Sequence, residues 1–173
     1  MKYCPKCGQE TSETDNFCRH CGYNLSKERS SLSASEEAIK TVIIQRVNAI
    51  KLRDDQVLRR LIDGERYTKF DDWPPFERQG LEAIDREADA LKVLRDYGYE
   101  VSDWRIDLYD DAALASFIIY YYGRIRDLDF KVRSRVTVFL VKREEGWRIV
   151  NEHWSRFPRE DEAIKARHGA LFL

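Results

Sequence analysis

Residues 130–157 read FKVRSRVTVFLVKREEGWRIVNEHWSRF. Two runs of β-branched and aromatic residues alternating with polar ones flank Glu144-Glu145-Gly146. That is the pattern of two long strands joined by a tight turn. A three-residue loop at 144–146 sets Arg143 opposite Trp147, Thr137 opposite His153 and Arg135 opposite Ser155. One face of the hairpin then carries Arg135, Thr137, Asn151, His153 and Ser155, a polar lining for an interior, and Glu152 points outward. A one-residue slip would turn every one of these side chains over.

Moving outward, three further strand boundaries are legible. Strands are expected over 99–109, 112–124, 129–143 and 146–157, with turns at Asp110-Asp111, Arg126-Asp127 and Glu145-Gly146. Short turns make consecutive strands antiparallel. In 114–122, Ile118 and Tyr120 alternate with Phe117, Ile119 and Tyr121, so both faces are apolar. Such a sheet needs two covers. Helices supply one, and a second copy of the chain is the expected other, a homodimer formed through the sheet.

The helices precede the sheet. Ala38, Val42, Ile43, Val47, Ile50 and Leu52 recur at helical spacing, with Ser35 as the expected N-cap. A second helix is expected over 55–62 and a third from about 77–80 to 97, with Leu81, Ile84, Ala88, Leu91 and Leu94 as its stripe. Between them, 67–76 holds two prolines and four aromatics and reads as an ordered lid. Asp71, Asp72, Asp85 and Glu87 read as caps and solvated faces.

All four cysteines lie in the first 21 residues, as Cys4-x-x-Cys7 and Cys18-x-x-Cys21. Each pair follows an aromatic residue and precedes a glycine, so Tyr3 to Gly8 repeats as Phe17 to Gly22. Cysteines three apart on a tight turn place both sulfurs on one ion, and two such turns make the tetrahedral shell that Zn²⁺ prefers. One structural zinc per chain is expected, with two disulfides or a single iron as the competing readings. Four thiolates leave no open position for catalysis. The segment resembles the short zinc ribbons at the start of many prokaryotic proteins.

The chain therefore divides into a ribbon (1–24), a serine-rich flexible linker (25–34), an α+β domain (35–158) and a tail with a short helix (159–173). The elements run helix, helix, helix, then meander, ending in Arg135-x-Thr137, Gly146-Trp147-Arg148-Ile149 and His153-Trp154-Ser155. In this order they resemble the SnoaL-like branch of the nuclear transport factor 2-like superfamily. The resemblance implies a cone-shaped, curved antiparallel sheet packed on N-terminal helices, a pocket inside the cone, and pairing through the sheet.

The chain has 173 residues, 35% charged, with a formal net charge of −1. That balance argues against a dedicated nucleic-acid binder. No signal-like h-region opens the sequence, and the longest apolar run is too short to span a bilayer, so a cytoplasmic protein is expected. No HExxH, GxSxG, P-loop or Rossmann glycine pattern occurs. Three functions remain: a non-catalytic small-ligand- or partner-binding domain, a small-molecule enzyme using His153, and a nucleic-acid adaptor acting through the ribbon. For the first two, Arg135, Thr137, Asn151, His153, Ser155 and Tyr120 are the expected pocket residues, suited to a small anionic ligand.

Overall fold

The structure, a computed structural model, describes residues 3, 4, 6–12 and 14–158. The expected C-terminal helix falls on 159–173, outside the described residues. The chain forms two compact units, residues 1–41 and residues 42–173.

In the first unit the two cysteine turns repeat each other in three dimensions. Gly8 N donates to Cys4 O and Gly22 N to Cys18 O, each at 2.8 Å, and both glycines adopt φ +71°. That left-handed conformation is the reason glycine stands at both positions. Helix α1 (Leu25–Leu52) starts directly after the second turn and crosses the boundary between the units. The flexible linker expected over 25–34 is therefore helix, and Ser35 is not its N-cap. Asn24 is placed to cap, since its Oδ1 accepts from Lys27 N at 2.9 Å. Ser30 Oγ donates back to Ser26 O at 3.0 Å, so a serine inside the helix still satisfies its hydroxyl.

The second unit contains α2 (Asp55–Leu61), a 3-10 turn (Gly64–Arg66), β1 (Thr68–Phe70), β2 (Arg78–Gln79), α3 (Glu82–Val93), β3 (Leu94–Tyr109), β4 (Ala112–Ile125), β5 (Leu128–Arg143) and β6 (Gly146–Arg156). The sheet order is β2-β1-β6-β5-β4-β3. The four long strands form the expected meander, and β1 adds to it in parallel with β6. The third helix is shorter than its apolar pattern suggests. Leu94 to Gly98 open β3 instead, and the ladder shifts between Arg95 and Gly98, with Asp96 at φ +52°. Buried residues alternate along β4 (Ala113, Ala115, Phe117, Ile119, Tyr121) and β5 (Val132, Ser134, Val136, Val138, Leu140), which defines one inner face. Among the described residues, no helix is long and apolar enough to cross a membrane.

The β5–β6 register is the decisive detail. The turn holds two residues, so Arg143 pairs with Gly146 and Lys142 with Trp147. The ladder then shifts: Leu140 pairs with Ile149 but Phe139 with Asn151, leaving Val150 as the extra residue. Beyond this bulge Thr137 pairs with His153 and Arg135 with Ser155, the expected partners reached by a different route. A bulge also reverses which face each side chain takes. Trp147 and Ile149 are buried before it; Glu152 and Trp154 are buried after it.

Across the β3–β4 pair, the Tyr122 ring lies on Gly98, and a Cβ there would sit 2.4 Å from Tyr122 Cζ. Gly98→Ala is expected to cost about 1–2 kcal/mol in urea unfolding, because the ring must leave its seat. The cost is bounded because Tyr122 is half exposed and has room to swing.

Candidate functional site

The inner face of the sheet, α3 and the 71–74 loop form a half-open cavity of about 220 Å³. Its apolar wall includes Trp73, Tyr97, Tyr121, Phe130 and Trp154. Its polar lining is Lys69, Asp71, Asp72, Gln79, Arg86 and Glu87. β1, held to β6 in parallel, carries Lys69 inward, and the residues just after it bring Asp71, Asp72 and Trp73 to the cavity.

Two buried networks hold this lining in place. In the first, Glu152 Oε1 accepts from Arg46 Nε at 3.0 Å and from Tyr67 OH at 2.9 Å, and Oε2 accepts from Trp154 Nε1 at 2.9 Å. Arg46 Nη2 also lies 2.8 and 2.7 Å from the two oxygens of Glu87. Lys69 Nζ bridges Glu87 and Asp71, the latter at 2.8 Å, and sits 5.4 Å above the Trp154 ring. In the second network Asp72 Oδ2 accepts from Tyr121 OH at 2.8 Å and from Ser134 Oγ, while Trp73 Nε1 donates to Tyr121 OH at 2.9 Å.

Burial opposes ionisation of Glu87, but Arg46 and Lys69 outweigh it and hold that carboxyl down at about 2. Burial pushes the Asp71 carboxyl above the usual range, and Lys69 only partly offsets this. Burial raises the Tyr67, Tyr97 and Tyr121 phenols, so they stay protonated donors. Among the described residues two buried donors lack a partner, Arg46 Nη1 and Gln79 Nε2. Gln79 is buried, its Oε1 accepts from Arg86 Nη1 at 2.8 Å, and its Nε2 has no partner. Because a guanidinium can only donate, the amide orientation is fixed, and Nε2 is packed behind the cavity surface.

None of the pocket residues expected from sequence lines this cavity. Arg135, Thr137, Asn151, His153, Ser155 and Tyr120 fall on the other side of the bulged hairpin or its neighbour strand, and Arg135, His153 and Tyr120 are exposed. They do cluster: Arg135 Nη2 donates to Ser155 Oγ at 3.1 Å, and Asn151 Nδ2 donates to Thr68 Oγ1 at 2.9 Å. His153 meets Phe70, ring centroids 5.6 Å apart. Glu152, expected to point outward, is completely buried. Asp71, Asp72 and Glu87, read as caps or solvated residues, are the acids of the cavity, while Asp85 is exposed and pairs with Arg59 at 2.7 Å. One signal could have found Glu87. It falls on the same stripe as Ala83, Ile84 and Leu91 of α3, just as Arg46 falls among Ile43, Val47 and Ile50 of α1.

In the first unit, all four cysteine sulfurs lie within 4.8 Å of one another. Cys4 and Cys21 sulfurs are 3.6 Å apart and Cys7 and Cys18 sulfurs 3.7 Å apart. A tetrahedron of thiolates at zinc's bond length has edges of about 3.8 Å, so the donor set fits that ion. Backbone N–H groups of Cys21 and His20 hold the Cys18 thiol down at about 6, while at Cys7 a backbone hydrogen bond from Gln9 is outweighed by burial and the three neighbouring sulfurs, which push that thiol up to about 12.

Comparison with known proteins agrees with both units. Residues 3–25 match the zinc-ribbon domain family. No curated protein matches the chain by sequence. Solved structures do match by fold. A nuclear transport factor 2-like superfamily protein from Salmonella enterica aligns over 75% of this chain and 95% of its own, at 19% identity and TM-score 0.65. The S. rosetta CaMKII hub aligns over 70% and 95%, at 18% identity and TM-score 0.60. A protein provisionally named a scytalone dehydratase, from Novosphingobium aromaticivorans, aligns over 75% and 89%, at 12% identity and TM-score 0.66. The larger unit has the nuclear transport factor 2-like fold, preceded by a zinc-ribbon domain.

Proposed function

We propose that this protein is a small-ligand-binding module that pairs through the outer face of its sheet and carries a structural zinc in its ribbon. The observation that carries the ligand reading is the aromatic-walled cavity with the carboxylates of Asp71 and Asp72 in its lining. The cavity has the mostly apolar, aromatic lining of small-molecule sites and, at about 220 Å³, suits a compact ligand. The outer face supports pairing: Leu114, Tyr120, Tyr122 and Phe139 are exposed there. That is more apolar surface in one place than scattered residues supply. Thiolate ligation of zinc suits a reducing compartment, in keeping with a cytoplasmic protein.

The enzyme reading built on His153 loses its basis, because that imidazole is exposed and lies outside the cavity lining. The anionic-ligand reading loses its basis with it, since it relied on Arg135 and His153 converging in the pocket. Native mass spectrometry of the full chain, purified without chelator, tests the proposal. The expected spectrum is a dimer with one zinc per chain and additional small-molecule mass. Phe139→Glu should give monomers at micromolar concentration with unchanged far-UV circular dichroism. A monomeric parent protein would remove the pairing, and a dimer insensitive to Phe139→Glu would move it to another face.

A further inference from the structure

Counting charges around the cavity narrows the ligand. Arg46 and Lys69 are both buried, and so are, wholly or largely, Asp71, Asp72, Glu87 and Glu152. Both cations are already committed: Arg46 to Glu152 and Glu87, Lys69 to Glu87 and Asp71. Arg86, exposed at the rim, donates to Gln79. Ionised, the buried set carries more negative than positive charge. Asp72 makes both of its side-chain hydrogen bonds through Oδ2. Asp71 has a single cationic partner, through Oδ2. Both carboxylates line the cavity, and so do three of the tyrosine and tryptophan rings that most strongly attract a cation: Trp73, Tyr97 and Trp154.

We infer that the ligand is a small organic cation: an ammonium head held by Asp71 and Asp72 among the aromatic rings, on a compact apolar body. This rests on the cavity being a ligand site, as proposed above. The size fits, since a dry cavity of about 150 Å³ takes a benzene ring and this one, at about 220 Å³, has room for a ring and a short polar arm. An anion would face Asp71, Asp72 and Glu87, and Arg86, the one lining cation not paired with a carboxylate, is exposed to water. A neutral ligand would leave the excess negative charge unanswered.

Three probes of one shape set these chemistries against each other: benzylammonium, benzyl alcohol and benzoate. Each is titrated into the full chain by calorimetry, with the tryptophan indole N–H resonances followed by NMR to place binding in the cavity. Benzylammonium is expected to bind on the order of tenfold or more tighter than either analogue, as a desolvated ammonium among aromatic rings should. Asp71→Asn should lower benzylammonium affinity far more than benzyl alcohol affinity, removing most of that preference. Equal or tighter binding of benzyl alcohol or benzoate overturns the cation and leaves the cavity as a ligand site. Failure of all three to move the indole resonances at millimolar concentration overturns both.

Discussion

Glu152→Ala is expected to lower the unfolding free energy by about 3–5 kcal/mol, the cost of breaking a buried ion pair by removing one partner. Glu152 receives three hydrogen bonds, from Arg46, Tyr67 and Trp154, and has no solvent exposure. Its loss strands a phenol and an indole donor and leaves Arg46 with Glu87 alone. Arg46 is already under-satisfied, because its Nη1 is buried without a partner. Urea unfolding followed by tryptophan fluorescence gives the number. A loss below about 1 kcal/mol would mean that water reaches the pair. The double variant Arg46→Met, Glu152→Leu should recover most of the loss, because well-packed apolar side chains replace a buried pair at little net cost. If the double variant is as weak as Glu152→Ala, shape rather than charge holds α1 residue 46 against β6.

That pair also explains how far the sequence could be read. The helix-then-meander order and both cysteine turns were legible, because they rest on short-range periodicity and turn residues. Of the expected β5–β6 partners, Arg143–Trp147 fails, and Thr137–His153 and Arg135–Ser155 hold only because the shorter turn and the bulge offset each other. The inward face was not legible. Trp147 and Ile149 do face in, and extending their parity along β6 put His153 inside and Glu152 outside. Val150 reverses the parity, and nothing in Arg148-Ile149-Val150-Asn151 marks a bulge, since no glycine stands there. One unpaired residue thus exchanged a histidine site for a carboxylate network. The acids were lost for a second reason. Asp71 and Asp72 stand in a proline-rich loop, where carboxylates ordinarily face water, and only the parallel pairing of β1 with β6 turns them inward. That contact joins residues about 80 positions apart in sequence, beyond the reach of any local pattern. The serine-rich 25–34 stretch failed differently: its composition favours a loop, but Asn24 supplies the cap that starts a helix.

Removing the metal is expected to unfold the ribbon completely. Its buried residues are Cys4, Cys18 and Leu25, with Cys7, Cys21 and Tyr23 packed partly against them. Four of these six are the metal ligands themselves, so without an ion the module has almost no core. Apparent zinc affinities of structural fingers, about 10–16 kcal/mol at neutral pH, are folding free energy of this kind. Cys18→Ser should therefore lose bound zinc, and a strong chelator should release one zinc per parent chain, scored colorimetrically. Hydrogen exchange resolved by segment should then show protection vanishing across 3–24 and persisting in β3 to β6. The two sulfur pairs make the test discriminating. At 3.6 and 3.7 Å they are too far apart for disulfides, whose sulfurs lie about 2 Å apart, and at the spacing a shared ion imposes. Thiols that react freely in the native protein before chelation would show that no ion is held. Persistence of exchange protection in 3–24 after the zinc has gone would assign the ribbon's folding energy to packing instead.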